Sequence, residues 1–299
     1  LAGKLFFVFS LIPVALAFII LIMLVAKSWP LIKNESVWLL ITGKTWKPSQ
    51  GLFGFWPFIA GTAWVTMLAR VIAVPPCILT AIFLAEYAGS RLRTIAKPML
   101  DILAAIPSVV YGVWGMLAIV PFIQNKLSPY INLHFPQISF LSSNNPTGFG
   151  VLAGAVVLAI MIVPFIIAIL YEIMNNIPKG LKEACLAMGT TKLQTVRWVV
   201  LPQSLPGILA AIVLGASRAL GETMAVLMVV GNVVQVPHSI LDAAYPLPAL
   251  IANNYGEMMS IPLYDSALMT AALILLIIIL VFNIASTLIL QRVLGKKWV

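Results

Sequence analysis

Three ionisable side chains lie inside strongly apolar stretches of this sequence, where charges are rare. They are Arg70, Arg218 and Glu222. A central arginine costs roughly 2.5–3.5 kcal/mol on membrane-insertion scales, so each charge must face a partner or a water-filled cavity. Arg218 and Glu222 stand four residues apart, which in a helix places both on one face and lets them pair. These residues are therefore the first candidates for chemistry in this chain.

An arginine and a glutamate on one helix face suit a particular kind of ligand. A guanidinium offers a planar fork of donors that fits two oxygens of an oxyanion. A carboxylate accepts a hydrogen bond from an oxyanion that keeps a proton, and it repels one that does not. Arg218 and Glu222 therefore predict a pathway for a protonated oxyanion; the alternative is an ion pair that only joins helices. For Arg70 two interpretations are equally open: a residue of the pathway, or a buried arginine that pairs with Glu222 or with backbone carbonyls.

The composition around these charges indicates a membrane protein. Of the 299 residues 62% are hydrophobic and 9% are charged, and the mean hydropathy is +1.06. Soluble domains carry about 25% charged residues, so a soluble enzyme and a disordered chain are both excluded. Six runs approach or exceed the roughly 20 residues of a spanning helix, which predicts an all-α integral membrane protein. They lie at about 5–26, 57–85, 98–123, 150–171, 205–230 and 264–290.

The basic residues predict how these spans are oriented. There are 18 Lys and Arg residues against 9 Asp and Glu, a net charge of +9. Eleven fall on the side that holds both termini, namely Lys4, Arg91, Arg93, Lys97, Lys179, Lys182, Lys192, Arg197, Arg292, Lys296 and Lys297. Five fall on the other side, namely Lys27, Lys33, Lys44, Lys47 and Lys126. The positive-inside rule therefore places both termini in the cytoplasm, and the excess charge no longer points to nucleic acid.

The cytoplasmic connection at about 177–202 has a pattern that a passive linker does not need. Leu181, Ala184, Cys185 and Met188 recur at helical spacing, which predicts a short amphipathic helix that ends at Gly189. A second short helix is predicted from about 192 to 200, stopped by a proline. An apolar stripe on a cytoplasmic loop indicates docking into the groove of a partner.

This connection resembles the EAA loop of ABC-importer permeases. Glu183, Ala184, Gly189, Leu201 and Pro202 match the loop pattern in type and spacing, and cysteine replaces the second alanine. The resemblance implies the type I ABC-importer permease fold, with residues 1–299 forming one permease domain. It also implies that the five residues belong to a coupling segment that docks on a cytoplasmic ATPase subunit.

Two further segments narrow the resemblance to phosphate-importer permeases of the PstC type. They are Leu103–Gly115 and the stretch Ser217–Val226, which ends in G-E-T-M-A-V. The resemblance implies phosphate transport by alternating access in the plasma (inner) membrane, with Arg218 and Glu222 in the pathway. The implied partners are a second, PstA-like permease subunit, a cytoplasmic ATP-binding subunit dimer and an extracytoplasmic phosphate-binding protein.

Other functions are weaker interpretations of the same residues. A permease for another oxyanion, such as phosphonate, sulfate or molybdate, stays open. An intramembrane Ser or metal protease is disfavoured, because no histidine falls in a predicted span and H-E-x-x-H is absent. The chain also has no G-x-x-x-x-G-K-[ST] motif. We therefore expect no enzymatic activity, no cofactor and no metal site, with ATP bound by the partner ATPase.

Overall fold

The computed structural model describes residues 2–138, 140–257 and 261–295, and these are mostly helical. In this part of the chain six helical segments are long and apolar enough to cross a membrane. They are Phe9–Asn34, Trp56–Tyr87, Ser108–His134, Val151–Asn175, Lys192–Gly221 and Tyr264–Ile289. The predicted class, an all-α membrane protein with six spans, is confirmed. Lys296 and Lys297, which were counted for the orientation, lie outside the described residues, and the orientation itself stays a prediction.

The elements follow one another along the chain, with the longer connections after α7 and α12. They are α1 (Ala2–Asn34), α2 (Val37–Thr42), β1 (Trp46–Lys47), β2 (Leu52–Phe53), α3 (Trp56–Ile82), α4 (Ser90–Ala105), α5 (Ser108–Trp114), α6 (Val120–Phe122), α7 (Ser128–His134), α8 (Val151–Asn175), α9 (Lys179–Ala187), α10 (Lys192–Thr195), α11 (Leu201–Gly221), α12 (Met224–Leu227), α13 (Leu247–Asn254) and α14 (Tyr264–Gly295). Wider π turns at Phe83–Tyr87, Gly115–Ile119, Ile123–Leu127 and Val196–Val200 extend or join these helices. The two strands form a small antiparallel hairpin.

Helix α8 is the centre of the bundle, and α3 packs along it. Over the most apolar window of α8 61% of the residues are buried, against 0% for α1. The face of α3 toward the core repeats every four residues with Val65, Ala69, Ala73 and Cys77, all fully or almost fully buried. Small side chains allow two helix backbones to approach closely where no water is present to drive association. Helix α1 instead lies at the periphery against α14.

The third predicted span, 98–123, is wrong in its limits. Helix α4 ends at Ala105, and Ile106 has an extended conformation (φ −60°, ψ 130°), which the ring of Pro107 favours by disfavouring helical geometry at the residue before it. The hydroxyl of Tyr111 donates to the carbonyl of Leu103 at 2.8 Å and so satisfies one acceptor that the break sets free. The span therefore runs from 108 to 134, and α4 is a separate helix.

The fifth predicted span, 205–230, is displaced in the opposite direction. The helix begins at Lys192, passes through Pro202 and ends at Gly221. The predicted stop at Pro202 is wrong, since a π turn precedes it and Leu201 N–H bonds to the carbonyl of Val196, five residues back. This wider turn accommodates a proline, which has no N–H to donate.

The connection between the fifth and sixth spans folds into the protein. Residues 239–250 are buried almost throughout, and Gly231 pairs with Ala244 in a parallel bridge. Leu247 N–H donates to the hydroxyl of Thr62 on α3 at 2.9 Å. The segment, which is too broken by prolines to span, thus forms backbone hydrogen bonds inside the bundle.

Candidate functional site

Arg218 lies in the last turn of α11, where α4 and α8 meet that helix. Its side chain is exposed, and its guanidinium carbon stands 4.9 Å from the ring centroid of Phe165 on α8. Nη2 donates a long hydrogen bond of 3.5 Å to the carbonyl of Ala104. An aromatic face and one carbonyl use few of the five N–H donors of a guanidinium. Most donors of Arg218 are therefore free for a ligand.

Glu222 does not lie on the same helix as Arg218. Helix α11 ends at Gly221, and Glu222 is extended (φ −70°, ψ 127°). Its Oε1 accepts a weak bond of 3.5 Å from the N–H of Ala225 in α12. The predicted shared helix face is wrong, and the described residues contain no ion pair between Arg218 and Glu222. Arg218 and Glu222 thus do not neutralise each other in the described residues, and their pathway role stays a prediction.

Arg70 lies on α3 apart from those two residues, and it is partly buried against α14. Its Nε donates to the carbonyl of Thr66 at 3.1 Å, and its guanidinium carbon lies 5.1 Å from the ring centroid of Phe282 on α14. The suggested pairing with Glu222 is absent from the described residues, whereas the suggested backbone carbonyl is present. These contacts favour an arginine that joins α3 to α14, and a pathway role for Arg70 stays a prediction.

A cavity of about 440 Å³ lies between α4 and α8 and reaches the surroundings of Arg218. Ala104 and Phe165, the two contacts of Arg218, belong to its wall. Arg93, Lys97, Asp101 and Glu172 contribute charges of both signs to the same wall. The sequence did not indicate Ala104 or Phe165, because they come from segments more than fifty residues from Arg218 and from each other.

The predicted coupling segment forms helix α9, which stands almost free of the bundle. None of its side chains is buried, and Glu183 and Ala184 are exposed together with the apolar Leu181 and Leu186. Met188, just after the helix, is 86% exposed. An exposed apolar face on a short helix has the character of a surface that a partner covers.

The turn after α9 leads directly into the fifth span. Gly189 has a φ of +85°, a left-handed conformation that glycine adopts without strain, and no atom crowds it. Thr191 and Gln194 then form a capping box that starts α10. Leu201 and Pro202 begin α11 within one continuous helical segment. At 1.5 Å per residue this segment places Arg218 roughly 40 Å from its start.

Two ion pairs of 2.5 Å join elements on this side of the bundle. Lys182 of α9 pairs with Glu86, whose side chains are 18% and 10% exposed, and Lys97 pairs with Glu172, at 58% and 46%. The hydrogen bond that Lys97 donates to Glu172 raises the pKa of Lys97 above its usual value. Arg91, Arg93 and Lys179 are closer in sequence to these two glutamates than their actual partners are. Packing instead brings together residues 75 and 96 positions apart.

Known proteins resemble this chain over most of its length. Residues 77–297 match the family model described as "Binding-protein-dependent transport system inner membrane component". The "Phosphate transport system permease protein PstC" of Pasteurella multocida is 39% identical over 255 residues, 84% of this chain and 79% of that protein. The protein of the same name from Haemophilus influenzae is 36% identical over 292 residues, 97% of this chain and 92% of that protein. In Methanocaldococcus jannaschii, the "Probable phosphate transport system permease protein PstC" is 33% identical over 267 residues, 88% and 84% of the two chains.

Solved structures share the fold. The chain aligns with two structures titled "Inward facing conformations of the MetNI methionine ABC transporter". The native crystal form gives a TM-score of 0.54 at 23% identity and covers 86% of this chain and 96% of that one. The SeMet soak form gives 0.53 at 24% identity, with 80% and 94% covered. The expected permease fold and the multi-pass membrane location are therefore confirmed. The chain belongs to the family of binding-protein-dependent transport system inner membrane components, and within it to the PstC permeases.

Proposed function

We propose that this chain is the transmembrane permease subunit of an ATP-driven importer of inorganic phosphate, which works by alternating access. The observation that carries the proposal is the placement of Arg218. Its exposed guanidinium lies on the same continuous helical segment that begins just after the exposed helix α9. One continuous helical segment thus connects α9, the proposed docking surface for the ATPase, to Arg218, the proposed binding residue for the anion. The relatives named above, which carry phosphate transport in their names, support phosphate as that anion.

Arg218 is the residue proposed to bind the anion. The guanidinium contacts an aromatic ring and, at 3.5 Å, a backbone carbonyl. These contacts orient the guanidinium without neutralising its charge. A planar fork with free donors binds two oxygens of phosphate at once, which a lysine ammonium does not. The weak hydration of guanidinium also keeps the cost of leaving water lower than for an ammonium.

Glu222 is the residue proposed to distinguish phosphate from sulfate. The only hydrogen bond of its carboxylate in the described residues is the 3.5 Å bond from Ala225. Phosphate retains at least one proton near neutral pH and donates a hydrogen bond to such a carboxylate, whereas sulfate only meets repulsion. The absence of an ion pair to Arg218 in the described residues leaves the glutamate free for this role.

Helix α9 is the part proposed to couple transport to ATP hydrolysis. Glu183, Ala184 and the turn at Gly189 present an exposed surface, and Leu201 with Pro202 connects it to the spanning helix. The partners would be an ATP-binding subunit dimer on this surface, a PstA-like permease beside the bundle and a phosphate-binding protein outside. The chain itself would hydrolyse nothing and need no cofactor of its own.

Uptake by the assembled transporter tests the substrate. The chain is purified with the PstA-like permease and the ATPase, reconstituted in liposomes, and supplied with ATP and the phosphate-binding protein. We expect labelled phosphate to accumulate, with little competition from an excess of sulfate, molybdate or a phosphonate. Accumulation of one of those anions in preference to phosphate, each tested with its own binding protein, would replace phosphate as the substrate. Failure to form a complex with any ATPase would contradict the importer function.

A further inference from the structure

Helix α9 contacts the bundle in very few places. It has no buried side chain, and only Lys182 and Cys185 among its residues are even partly covered. Cys185 remains within the local turn, where its carbonyl accepts from the hydroxyl of Thr190 at 2.8 Å. Lys182 reaches two other elements. The anchoring of α9 to the membrane helices therefore depends strongly on this one lysine.

Lys182 connects the ends of two different spans. Its Nζ donates to Oε1 of Glu86 at 2.5 Å, and a longer contact of 3.4 Å reaches the carbonyl of Met174. Glu86 lies in the π turn that ends the second span, next to the buried Leu84 and Ala85. Met174 is buried in the last turn of α8. Through the contact with Glu86, a displacement of α9 would act directly on the end of the second span.

The Lys182–Glu86 pair is also the more enclosed of the two pairs of equal length. Its side chains are 18% and 10% exposed, against 58% and 46% for Lys97 and Glu172. Screening by water is weaker in the enclosed pair, so its attraction is stronger, and loss of one partner leaves a charge with little solvent. An exposed pair of the same length contributes little. Enclosure, and not length, therefore distinguishes the Lys182–Glu86 pair.

We propose that the ion pair between Lys182 and Glu86 is the link that passes movement of α9 to the second span, with both residues acting as positioning residues in the transport cycle. The inference rests on the proposed coupling role of α9 and goes beyond it, because it assigns the second span as the receiver. The second span packs along the central helix α8 and bonds through Thr62 to the folded outer connection. Movement at its cytoplasmic end thus reaches the outer side.

The test is the amount of substrate transported per ATP hydrolysed by the reconstituted full transporter. Lys182→Met and Glu86→Gln each remove one charge, and the double variant Lys182→Glu with Glu86→Lys exchanges them. We expect each single variant to lower the ratio by at least about fivefold, the lower end of typical coupling between two sites. The exchange should restore at least about half of the ratio, because the attraction returns with the opposite polarity.

Lys27→Met is the control, since it breaks the exposed pair with Asp265, neither residue of which lines the cavity near Arg218, and should leave the ratio within about twofold. The proposal would be overturned if transport and ATP hydrolysis fall together in the single variants, so that their ratio is unchanged. The ion pair would then have only a structural role. An exchange variant that assembles but stays as uncoupled as the single variants would overturn it as well. The wild-type complex distinguishes failure of this proposal from failure of the proposed function. If the wild-type complex shows no ATP-driven uptake of any oxyanion, the proposed importer function is wrong.

Discussion

Replacing Glu222 by glutamine removes one negative charge and almost nothing else. The amide has the shape of the carboxylate, and its oxygen can keep the 3.5 Å bond from the N–H of Ala225. Because the described residues contain no ion pair at Glu222, the substitution leaves no buried cation behind. Any change in transport then reports the interaction of this charge with the substrate.

The size of the effect follows from the difference between charged and neutral acceptors. A hydrogen bond to a charged group contributes about 1.5–3 kcal/mol, and one between neutral groups about 0.5–1.5 kcal/mol. Losing the charge should therefore weaken the binding of phosphate by about 1–1.5 kcal/mol, or roughly 5- to 13-fold in affinity. Sulfate should gain at the same time, since the charge that repels it is gone. The preference for phosphate over sulfate should thus fall by at least about tenfold.

Uptake of labelled phosphate in proteoliposomes, with sulfate as competitor, measures both changes. Glu222→Asp is the control, because it keeps the charge on a shorter side chain and should retain rejection of sulfate even where uptake is slower. The reasoning is refuted if Glu222→Gln keeps the wild-type half-saturation for phosphate and still ignores sulfate. In that case Glu222 would only cap α12, through its bond to Ala225.

Three more substitutions test other parts of the structure. Gly189→Ala should weaken binding of the ATPase subunit, because a residue with a side chain is strained by about 1–2 kcal/mol at a φ of +85°. Gly180→Ala is the control, since Gly180 in α9 has equally open surroundings without a positive φ, and it should leave the binding unchanged. Co-purification of the ATPase subunit with each variant compares the two. Arg70→Gln should lower the melting temperature of the detergent-solubilised complex while half-saturation for phosphate stays within about twofold, since a cation–π contact contributes about 0.5–2 kcal/mol; a large rise in half-saturation would favour the pathway interpretation. Gly115→Ala should destabilise the protein by about 1–3 kcal/mol in denaturant-unfolding experiments, because the new Cβ would lie 2.4 Å from Cγ2 of Val157; unchanged stability would contradict this close packing.

The six spans could be predicted because a membrane imposes a requirement on each segment separately. Their limits could not, since proline has no single effect in this chain. Pro75, Pro76 and Pro164 lie inside continuous helices, whereas the chain breaks before Pro107. The break is stabilised by Tyr111, whose hydroxyl bonds to a carbonyl eight residues earlier. Such compensation depends on packing, which the local pattern does not contain.

In the candidate site, too, the sequence predicts features that depend on neighbouring residues better than contacts between residues that are distant in the chain. The spacing of Arg218 and Glu222 predicted a pair only on the assumption that the helix continues, and it ends between them at Gly221. The charge count could place Lys182 and Glu86 near the same side of the membrane, yet it could not choose them as partners over nearer residues. The match to the EAA pattern depends only on residues within one loop and at the start of the next helix, and the coupling role that it implies stays a prediction.

The continuous segment from Lys192 to Gly221 makes the two proposed binding events reciprocal. If ATPase closure on α9 changes the affinity of the Arg218 region for an anion by some factor, the anion must change the affinity for the ATPase by the same factor. Phosphate arriving from outside would therefore be sensed at the cytoplasmic face before any of it crosses. The same helix that moves the substrate would then report its presence.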